Sequence, residues 1–232
     1  MRAADAEAAA DLAAAVIAAV CREAVAARGR AVVAVSGGAT PWRMLAKLRT
    51  LLIPWRLVHV AQVDERVAPR GDASRNLTRL ERILVAEGPL PPANLHAMPV
   101  EGSDPAAACA DYQRHLESLA GRPLVLDLVQ LGLGTDGHTA SLVPGDPVLE
   151  VDDRDVAMSG EYHGQRRMTL TLPALARARS RLWLVTGAAK ALRLGELMDR
   201  RGDTPALRVP REHTDVVADA PALEARGNAR ES

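Results

Sequence analysis

Short apolar runs alternate with longer amphipathic stretches along most of the chain. The runs are continuous in valine, leucine and alanine instead of alternating between apolar and polar residues, which is typical of strands buried on both faces. The predicted strands are Ala31–Val35, Leu57–Val63, Leu124–Leu131, Met168–Leu172, Arg181–Thr186 and the short Val216–Ala218.

The stretches between these strands have helical periodicity and helix boundary residues. In the first one, apolar residues recur on one face up to Arg28, and Gly29 follows as a stop signal. The predicted helices are Asp5–Arg28, Thr40–Leu48 with Thr40 as its cap, Asn76–Glu87, Asp104–Leu119 and Ala188–Arg200. Strands alternating with helices predict an α/β fold with a mostly parallel sheet and helices on both faces. We expect a single domain over residues 1–232, with a polar tail that frays from Arg226.

Charge and cysteine content narrow the class of function. Twenty-nine basic and 29 acidic residues cancel, so no overall field favours nucleic acid or an anionic membrane, and we expect neither as a partner. Cys21 and Cys109 lack the spacing of metal ligands, which indicates a reducing compartment and no structural metal. The apolar run Leu12–Cys21 has acidic flanks and is too short to span a bilayer, so we interpret it as part of a helix in a cytoplasmic protein.

The loop Ser36–Pro41 follows the first predicted strand and contains Gly37 and Gly38. Glycines expose backbone N–H groups, and the helix that follows presents the positive end of its dipole, so the loop could hold a phosphate. A plain strand-to-helix turn explains it equally well. No Gly-Lys-Ser/Thr follows, which argues against an ATP-binding P-loop.

The segment Gly132–Ser141 places His138 on a glycine-rich turn directly after a predicted buried strand. Ligands of α/β sheets collect at the carboxyl ends of strands, where histidine can act in proton transfer. The segment also matches GxGxxG, the dinucleotide-binding fingerprint. We reject that interpretation because Pro144–Pro147 prevents a long helix from following and because the loop lies in the middle of the chain.

Other chemistries have less support. Ser36 and Ser141 lie outside a GxSxG elbow, so a serine nucleophile is not favoured. Asp136 and His138 could ligate a metal, but no third ligand stands at a recognisable spacing. His138 remains as a base acting on water, oriented by Asp136 or by Asp64. Asp64–Arg66 is expected to be a charged turn, either at the rim of the site or simply solvated.

Two later features supply positive charge. Arg166 and Arg167 lead into a predicted strand, and Lys190 occupies the first turn of a predicted helix. A cation at the start of a helix interacts unfavourably with the helix dipole, at a cost of about 0.3–1 kcal/mol. This placement is easier to understand if an anion binds between Lys190 and the helix start. A surface lysine is the alternative.

Five segments in this order closely resemble the 6-phosphogluconolactonases of the glucosamine-6-phosphate isomerase/6-phosphogluconolactonase superfamily, over nearly the whole chain. They are Ser36–Pro41, Asp64–Arg66, Gly132–Ser141, Arg167–Thr171 and Gly187–Lys190. The Asp-Gly-His-Thr-Ala-Ser stretch is the specific part. Deaminases of the superfamily continue after the histidine with an aromatic residue and Asn-Glu-Pro, which Thr139–Pro144 lacks, so the resemblance favours the lactonases.

The resemblance implies a Rossmann-like fold of the type shared by glucosamine-6-phosphate isomerases, ribose-phosphate isomerases and CoA transferases. It implies a hydrolase that converts 6-phospho-D-glucono-1,5-lactone to 6-phosphogluconate in the oxidative pentose phosphate pathway, as a monomer or weak homodimer without cofactor or metal. His138 corresponds to the general base and Asp136 to its orienting carboxylate. The residues that correspond to the substrate-binding set are Gly37, Gly38, Thr40, Asp64, Arg66, Asn76, Gly134, Arg167 and Lys190. Arg75 separates Ser74 from Asn76, where many relatives have Ser-Asn adjacent.

Two alternatives stay open at this stage. One is a glucosamine-6-phosphate deaminase, which would release ammonia. The other is a non-catalytic sugar-phosphate sensor, although the chain has no evident helix-turn-helix or basic face.

Overall fold

A computed structural model describes residues 1–228 of the chain. Its strands are Arg2–Ala3 (β1), Ala31–Val35 (β2), Val58–Gln62 (β3), Asp64–Arg66 (β4), Leu95–His96 (β5), Leu128–Leu131 (β6), Val156–Met158 (β7), Arg167–Leu170 (β8), Arg181–Val185 (β9) and Thr214–Asp219 (β10). Seven of them form one sheet in the order β1-β10-β9-β6-β2-β3-β5, and every pair of neighbours is parallel. The other three form an antiparallel sheet in the order β4-β8-β7.

Seven α-helices accompany the sheets in the described part of the chain. They are Ala6–Arg28 (α1), Ala39–Leu48 (α2), Asn76–Leu80 (α3), Pro105–Ala120 (α4), Leu172–Arg177 (α5), Ala191–Asp199 (α6) and Ala220–Asn228 (α7). The predicted ends of the first helix are confirmed: the Asp5 carboxylate accepts from the Ala8 N–H, and Gly29 takes a left-handed conformation at φ 76°.

The large sheet is covered on both faces, as the apolar runs predict. Alternate residues of β2 enter two different hydrophobic clusters: Val32 and Ala34 belong to one, and Ala31, Val33 and Val35 belong to the other. A strand with apolar residues on both faces has no polar side to give it period-two alternation, which is why its sequence is a continuous apolar run.

Several predicted boundaries are wrong for identifiable reasons. The strand predicted over Leu124–Leu131 begins only at Leu128, because the Asp127 carboxylate takes the Val32 N–H at 2.8 Å, in place of a ladder bond. Thr40 is not a helix cap, since α2 begins one residue earlier and the Thr40 hydroxyl instead bonds to that of Thr186 at 2.6 Å.

Other helix predictions need smaller corrections. The helix predicted over Asn76–Glu87 is α3 followed by a π-helical turn at Glu81–Ala86. The helix predicted from Ala188 begins as a 3₁₀ turn, Ala188–Lys190, before α6. Of the tail 226–232 that was expected to fray, residues 226–228 belong to the helix Ala220–Asn228 (α7), and residues 229–232 lie outside the described residues.

The charged segment Asp64–Arg66 is a strand instead of a turn. It pairs antiparallel with β8, with Asp64 opposite Thr169 and Arg66 opposite Arg167. Asp64 and Glu65 are both buried, so of the two alternatives considered, the rim of the site or solvated surface, the second is wrong for both. Their burial is possible because each carboxylate has several hydrogen-bond donors around it, and these donors belong to the site described next.

Candidate active site

A cavity of about 530 Å³ opens at the carboxyl edge of the parallel sheet, where the loops after β2, β6 and β9 converge. This volume is typical of small-molecule sites. Ten of the eleven residues predicted for the site line it: Gly37, Gly38, Thr40, Asp64, Arg66, Asn76, Gly134, His138, Arg167 and Lys190. The eleventh, Asp136, does not line it but contacts His138.

His138 and Asp136 form a hydrogen-bonded pair on the loop after β6. The Nδ1 atom of His138 lies 2.6 Å from Oδ1 of Asp136, and the same oxygen accepts the His138 backbone N–H at 3.1 Å. Asp64 has no hydrogen bond to His138 among the described residues, so of the two carboxylates considered for orienting the ring the structure selects Asp136.

Gly134 lets the loop fold tightly enough for this pair to form. Its N–H donates to the His138 carbonyl at 2.8 Å, and a Cβ added to it would lie 2.1 Å from Nδ1 of His138 and 2.4 Å from Oδ1 of Asp136. Any other residue at this position would push the imidazole or the carboxylate away. A glycine is therefore required at position 134, because the His138 ring and the Asp136 carboxylate lie too close to its Cα for a side chain to fit.

The Asp136 carboxylate is ionised in this setting. Burial raises its pKa, but the hydrogen bonds and charge of His138, together with the Tyr162 hydroxyl, outweigh burial and hold the pKa below its ordinary value. An ionised Oδ1 can only accept, so the proton of the shared hydrogen bond belongs to Nδ1 of His138. When the ring is neutral, Nε2 is therefore the nitrogen without a proton.

The glycine loop after β2 offers backbone donors to the same cavity. Gly38 precedes α2 at φ 124°, a conformation that favours glycine, and no side chain caps the first turn of the helix. The N–H groups at the start of a helix attract anions when no cap satisfies them. Ser36 is not available as a nucleophile, because its hydroxyl donates to the Gln130 carbonyl at 2.9 Å.

A second polar group lies on the opposite side of the cavity, on β4 and α3. The Asn76 side chain accepts from Arg66 Nη1 at 2.5 Å and donates to the Asp64 carbonyl at 2.9 Å. In the Asp64 side chain, the carboxylate oxygen Oδ2 accepts from the Ser141 hydroxyl at 2.6 Å. Asn76 and Ser141 thus fix Arg66 and Asp64, and Ser141, like Ser36, is engaged instead of free for attack.

Two cations face the cavity with unused donors. Arg167 is 8% exposed and its Nε has no hydrogen-bond partner among residues 1–228, while its Nη1 lies 3.9 Å from Oδ2 of Asp64. The Lys190 ammonium has no hydrogen bond or ion pair within that range, and burial, opposed by the charge of Asp136, lowers its pKa. A buried guanidinium and a half-buried ammonium without full pairing indicate a place for an anionic ligand.

The described residues contain no cluster of three or more His, Cys, Asp or Glu side chains able to hold a metal ion. No helix in the same part of the chain is both long and apolar enough to cross a bilayer.

The family model described as glucosamine-6-phosphate isomerases/6-phosphogluconolactonase matches residues 4–218. The chain belongs to this family. Among curated relatives, the 6-phosphogluconolactonase of Synechocystis sp. is 38% identical over 187 residues, which are 78% of this chain and 77% of the relative.

Solved structures of the family have the same fold. The 6-phosphogluconolactonase of Thermotoga maritima superposes with a TM-score of 0.83 at 26% identity, covering 94% of this chain and 97% of that one. A monomeric glucosamine-6-phosphate deaminase superposes with a TM-score of 0.84 at 17% identity, covering 97% of this chain and 99% of that one. The fold therefore does not separate the two activities within the family.

Sequence reasoning missed two contributors to the site. Glu65 is fully buried behind the cavity wall, although its place between Asp64 and Arg66 suggested a charged turn. Tyr162 donates to Asp136 at 3.1 Å from a segment 26 residues away that carried no motif. The aromatic residue is one of only two tyrosines in the chain, and that scarcity was the sole signal available.

Proposed function

We propose that the protein hydrolyses 6-phospho-D-glucono-1,5-lactone to 6-phosphogluconate. Membership of the family and the lactonase names of its relatives support this reaction. The single observation that carries it is the placement of a carboxylate-held His138 and incompletely paired cations on the walls of one cavity. That arrangement suits a substrate with a hydrolysable carbonyl at one end and a phosphate at the other.

In the proposed reaction, Nε2 of His138 accepts a proton from water as the water oxygen attacks the lactone carbonyl. The carbonyl becomes an oxyanion in a tetrahedral intermediate, which N–H or cationic donors of the cavity stabilise. When the intermediate collapses, the bond from C1 to the ring oxygen breaks and the proton passes from His138 to that oxygen. Asp136 stays ionised throughout and stabilises the imidazolium. General-base assistance of this kind is worth roughly 10²–10⁴-fold in rate.

The phosphate serves as a handle for positioning. Gly37, Gly38, Arg66, Arg167 and Lys190 are the proposed anion-holding group, since their N–H donors share the cavity with His138. Each charge-assisted hydrogen bond contributes about 1.5–3 kcal/mol. That energy orients the lactone so that its carbonyl lies beside the water held by His138. Asp64, Asn76 and Thr40 are proposed to contact sugar hydroxyls or to hold the binding residues in place.

The test is acid release from freshly generated 6-phosphogluconolactone, measured above its spontaneous opening and beside the unphosphorylated lactone. We expect fast release with the phosphorylated substrate only. His138→Asn should lose turnover while keeping affinity for 6-phosphogluconate, and Lys190→Ala should chiefly raise KM. Full activity of His138→Asn would show that His138 is not the general base. Ammonia release from glucosamine 6-phosphate, without lactone hydrolysis, would replace the proposed function with a deaminase. Binding of 6-phosphogluconate without either reaction would favour a sensor.

A further inference from the structure

The connection between β7 and β8 is a tight hairpin that brings an aromatic residue to the catalytic pair. Its tip is closed by hydrogen bonds between Tyr162 and Gln165, at 3.0 Å and 3.3 Å. His163 and Gly164 between them both have positive φ, 52° and 75°, as in the turns that join two-residue hairpins. Gln165 also donates to the Ser74 hydroxyl at 3.3 Å, so the tip is fixed against the loop before α3.

Tyr162 makes three different contacts with residues of the site. Its hydroxyl donates to Oδ2 of Asp136 at 3.1 Å. Its ring lies edge-on to the His138 imidazole, with centroids 5.4 Å apart and an interplanar angle of 66°. The guanidinium carbon of Arg167 lies 5.3 Å from the ring centroid, in cation–π geometry.

We propose that Tyr162 is a positioning residue that sets both the catalytic pair and the anion-binding Arg167. This inference rests on the proposed lactonase function and assigns to the hairpin a part in that reaction.

The hydroxyl acts on His138 through Asp136. With Oδ1 bonded to His138 and Oδ2 bonded to Tyr162, the carboxylate cannot rotate about its χ2 angle without losing one of the two bonds. The second hydrogen bond also spreads the negative charge of the carboxylate, so that Asp136 attracts the imidazolium less strongly. Without the hydroxyl, protonated His138 is favoured and the neutral base is available only at higher pH.

The ring acts on Arg167 separately. Arg167 has few partners: its Nε is unpaired within the described residues and its Nη1 is 3.9 Å from the nearest carboxylate oxygen. The aromatic face is therefore a principal contact that holds the guanidinium of this cavity-lining arginine in place. Removing the hydroxyl alone leaves this contact in place, whereas removing the ring abolishes both effects.

Two substitutions separate these roles. Tyr162→Phe should lower kcat about three- to tenfold, the effect of losing one hydrogen bond of ordinary net strength, and should move the acid limb of kcat/KM up by about half a pH unit. Its KM should stay near the wild-type value. Tyr162→Leu should show the same kcat defect and, in addition, a KM raised by about fivefold, because the cation–π contact is lost.

Gln165→Ala is the matched control, since it loosens the same hairpin from Ser74 and keeps Tyr162. It should leave kcat, KM and the acid limb unchanged. All variants are compared with wild type by thermal melting, which a loss of fold would change.

The outcomes distinguish this inference from the proposed function. If the wild-type protein does not hydrolyse the lactone, the proposed function fails and the inference fails with it. If the wild-type protein is active and Tyr162→Phe keeps its kcat and acid limb, the lactonase function stands and the positioning role is wrong. If Gln165→Ala reproduces the Tyr162→Phe profile, the effect comes from hairpin mobility, which also overturns the inference.

Discussion

The buried carboxylate of Glu65 holds the start of α3 against β4, and its neutral isostere should destabilise the protein strongly. Oε1 accepts the N–H groups of Arg66 and Asn76, both at 2.8 Å. Oε2 accepts the Leu77 N–H at 2.8 Å and the Gln62 side-chain amide at 2.9 Å. Each oxygen thus serves two donors. In Glu65→Gln, whichever way the amide is turned, its NH₂ group faces two N–H donors that it cannot accept.

The magnitude follows from these contacts. At least one backbone N–H is left buried without an acceptor, which costs about 1–3 kcal/mol. The substitution also removes the charge opposite Arg75, which is 1% exposed with its Nε 3.3 Å from Oε2 of Glu65. Breaking a buried ion pair costs about 3–5 kcal/mol, and the cost here lies at the lower end because Arg75 Nη1 still pairs with Glu101. Because the two contributions overlap, we expect a loss of about 4 kcal/mol and a fall in Tm of about 8–16 °C.

Glu81→Gln is the matched control for this measurement. Glu81 pairs with Arg70 at the surface, with side chains 39% and 69% exposed, so its substitution should cost less than about 1 kcal/mol. Both variants are compared by thermal melting and by urea unfolding with a common m-value. If Glu65→Gln melts within a degree or two of Glu81→Gln, the buried carboxylate does not stabilise the site as argued here.

Three further perturbations have defined outcomes. Gly37→Ala would place a Cβ 1.9 Å from Oδ1 of Asn76, so we expect at least about a tenfold loss in kcat/KM, whereas Gly102→Ala, with open space around it, should match wild type in the lactonase assay. Burial, with two neighbouring histidines, lowers the pKa of His96 to about 4. Because the folded pKa lies below the unfolded value, the contribution of neutral His96 to the free energy of unfolding is complete above about pH 6.5 and is lost as the pH falls toward 4. His96→Gln should therefore flatten the dependence of urea unfolding on pH between these values. Burial raises the pKa of the Cys21 thiol to about 12, so alkylation at pH 8 should be slow in the native protein and should become fast only in denaturant; rapid native labelling would contradict this.

The large sheet was predictable because strands that are buried on both faces have continuous apolar sequences. Strands such as Ala31–Val35 are dense apolar runs, and the predicted range matches β2 residue for residue. In the second sheet only β8 was predicted, as Met168–Leu172. β4 is Asp-Glu-Arg, and its burial depends on donors from α3 and from Ser141, which only the folded chain brings near. The short strands β1, β5 and β7 have two or three residues each, too few for any period to show.

The site shows the same division. Residues on loops directly after predicted strands, such as Gly37, His138 and Lys190, were predictable because parallel strands end at one edge. Tyr162 was not, since its position depends on the register of β7 with β8 and on a two-residue turn. The choice of Asp136 over Asp64 also required the structure, because both carboxylates follow strands and only the distances to His138 separate them.

The two sheets contribute different functions to one cavity. Loops of the parallel sheet supply the proposed base, His138, and the glycine loop, whereas β4 and β8 of the antiparallel sheet supply Arg66 and Arg167. Substitutions on β4 or β8 should therefore act mainly on KM, and substitutions after β6 mainly on kcat. Tyr162 is the exception, because the hairpin of the antiparallel sheet reaches across to Asp136. Because Tyr162 contacts both Asp136 and Arg167, it links the orientation of the base to the binding of substrate. Tyr162→Leu, which loses the ring, should therefore raise KM more than Tyr162→Phe, which loses only the hydroxyl, and the two variants should lower kcat equally.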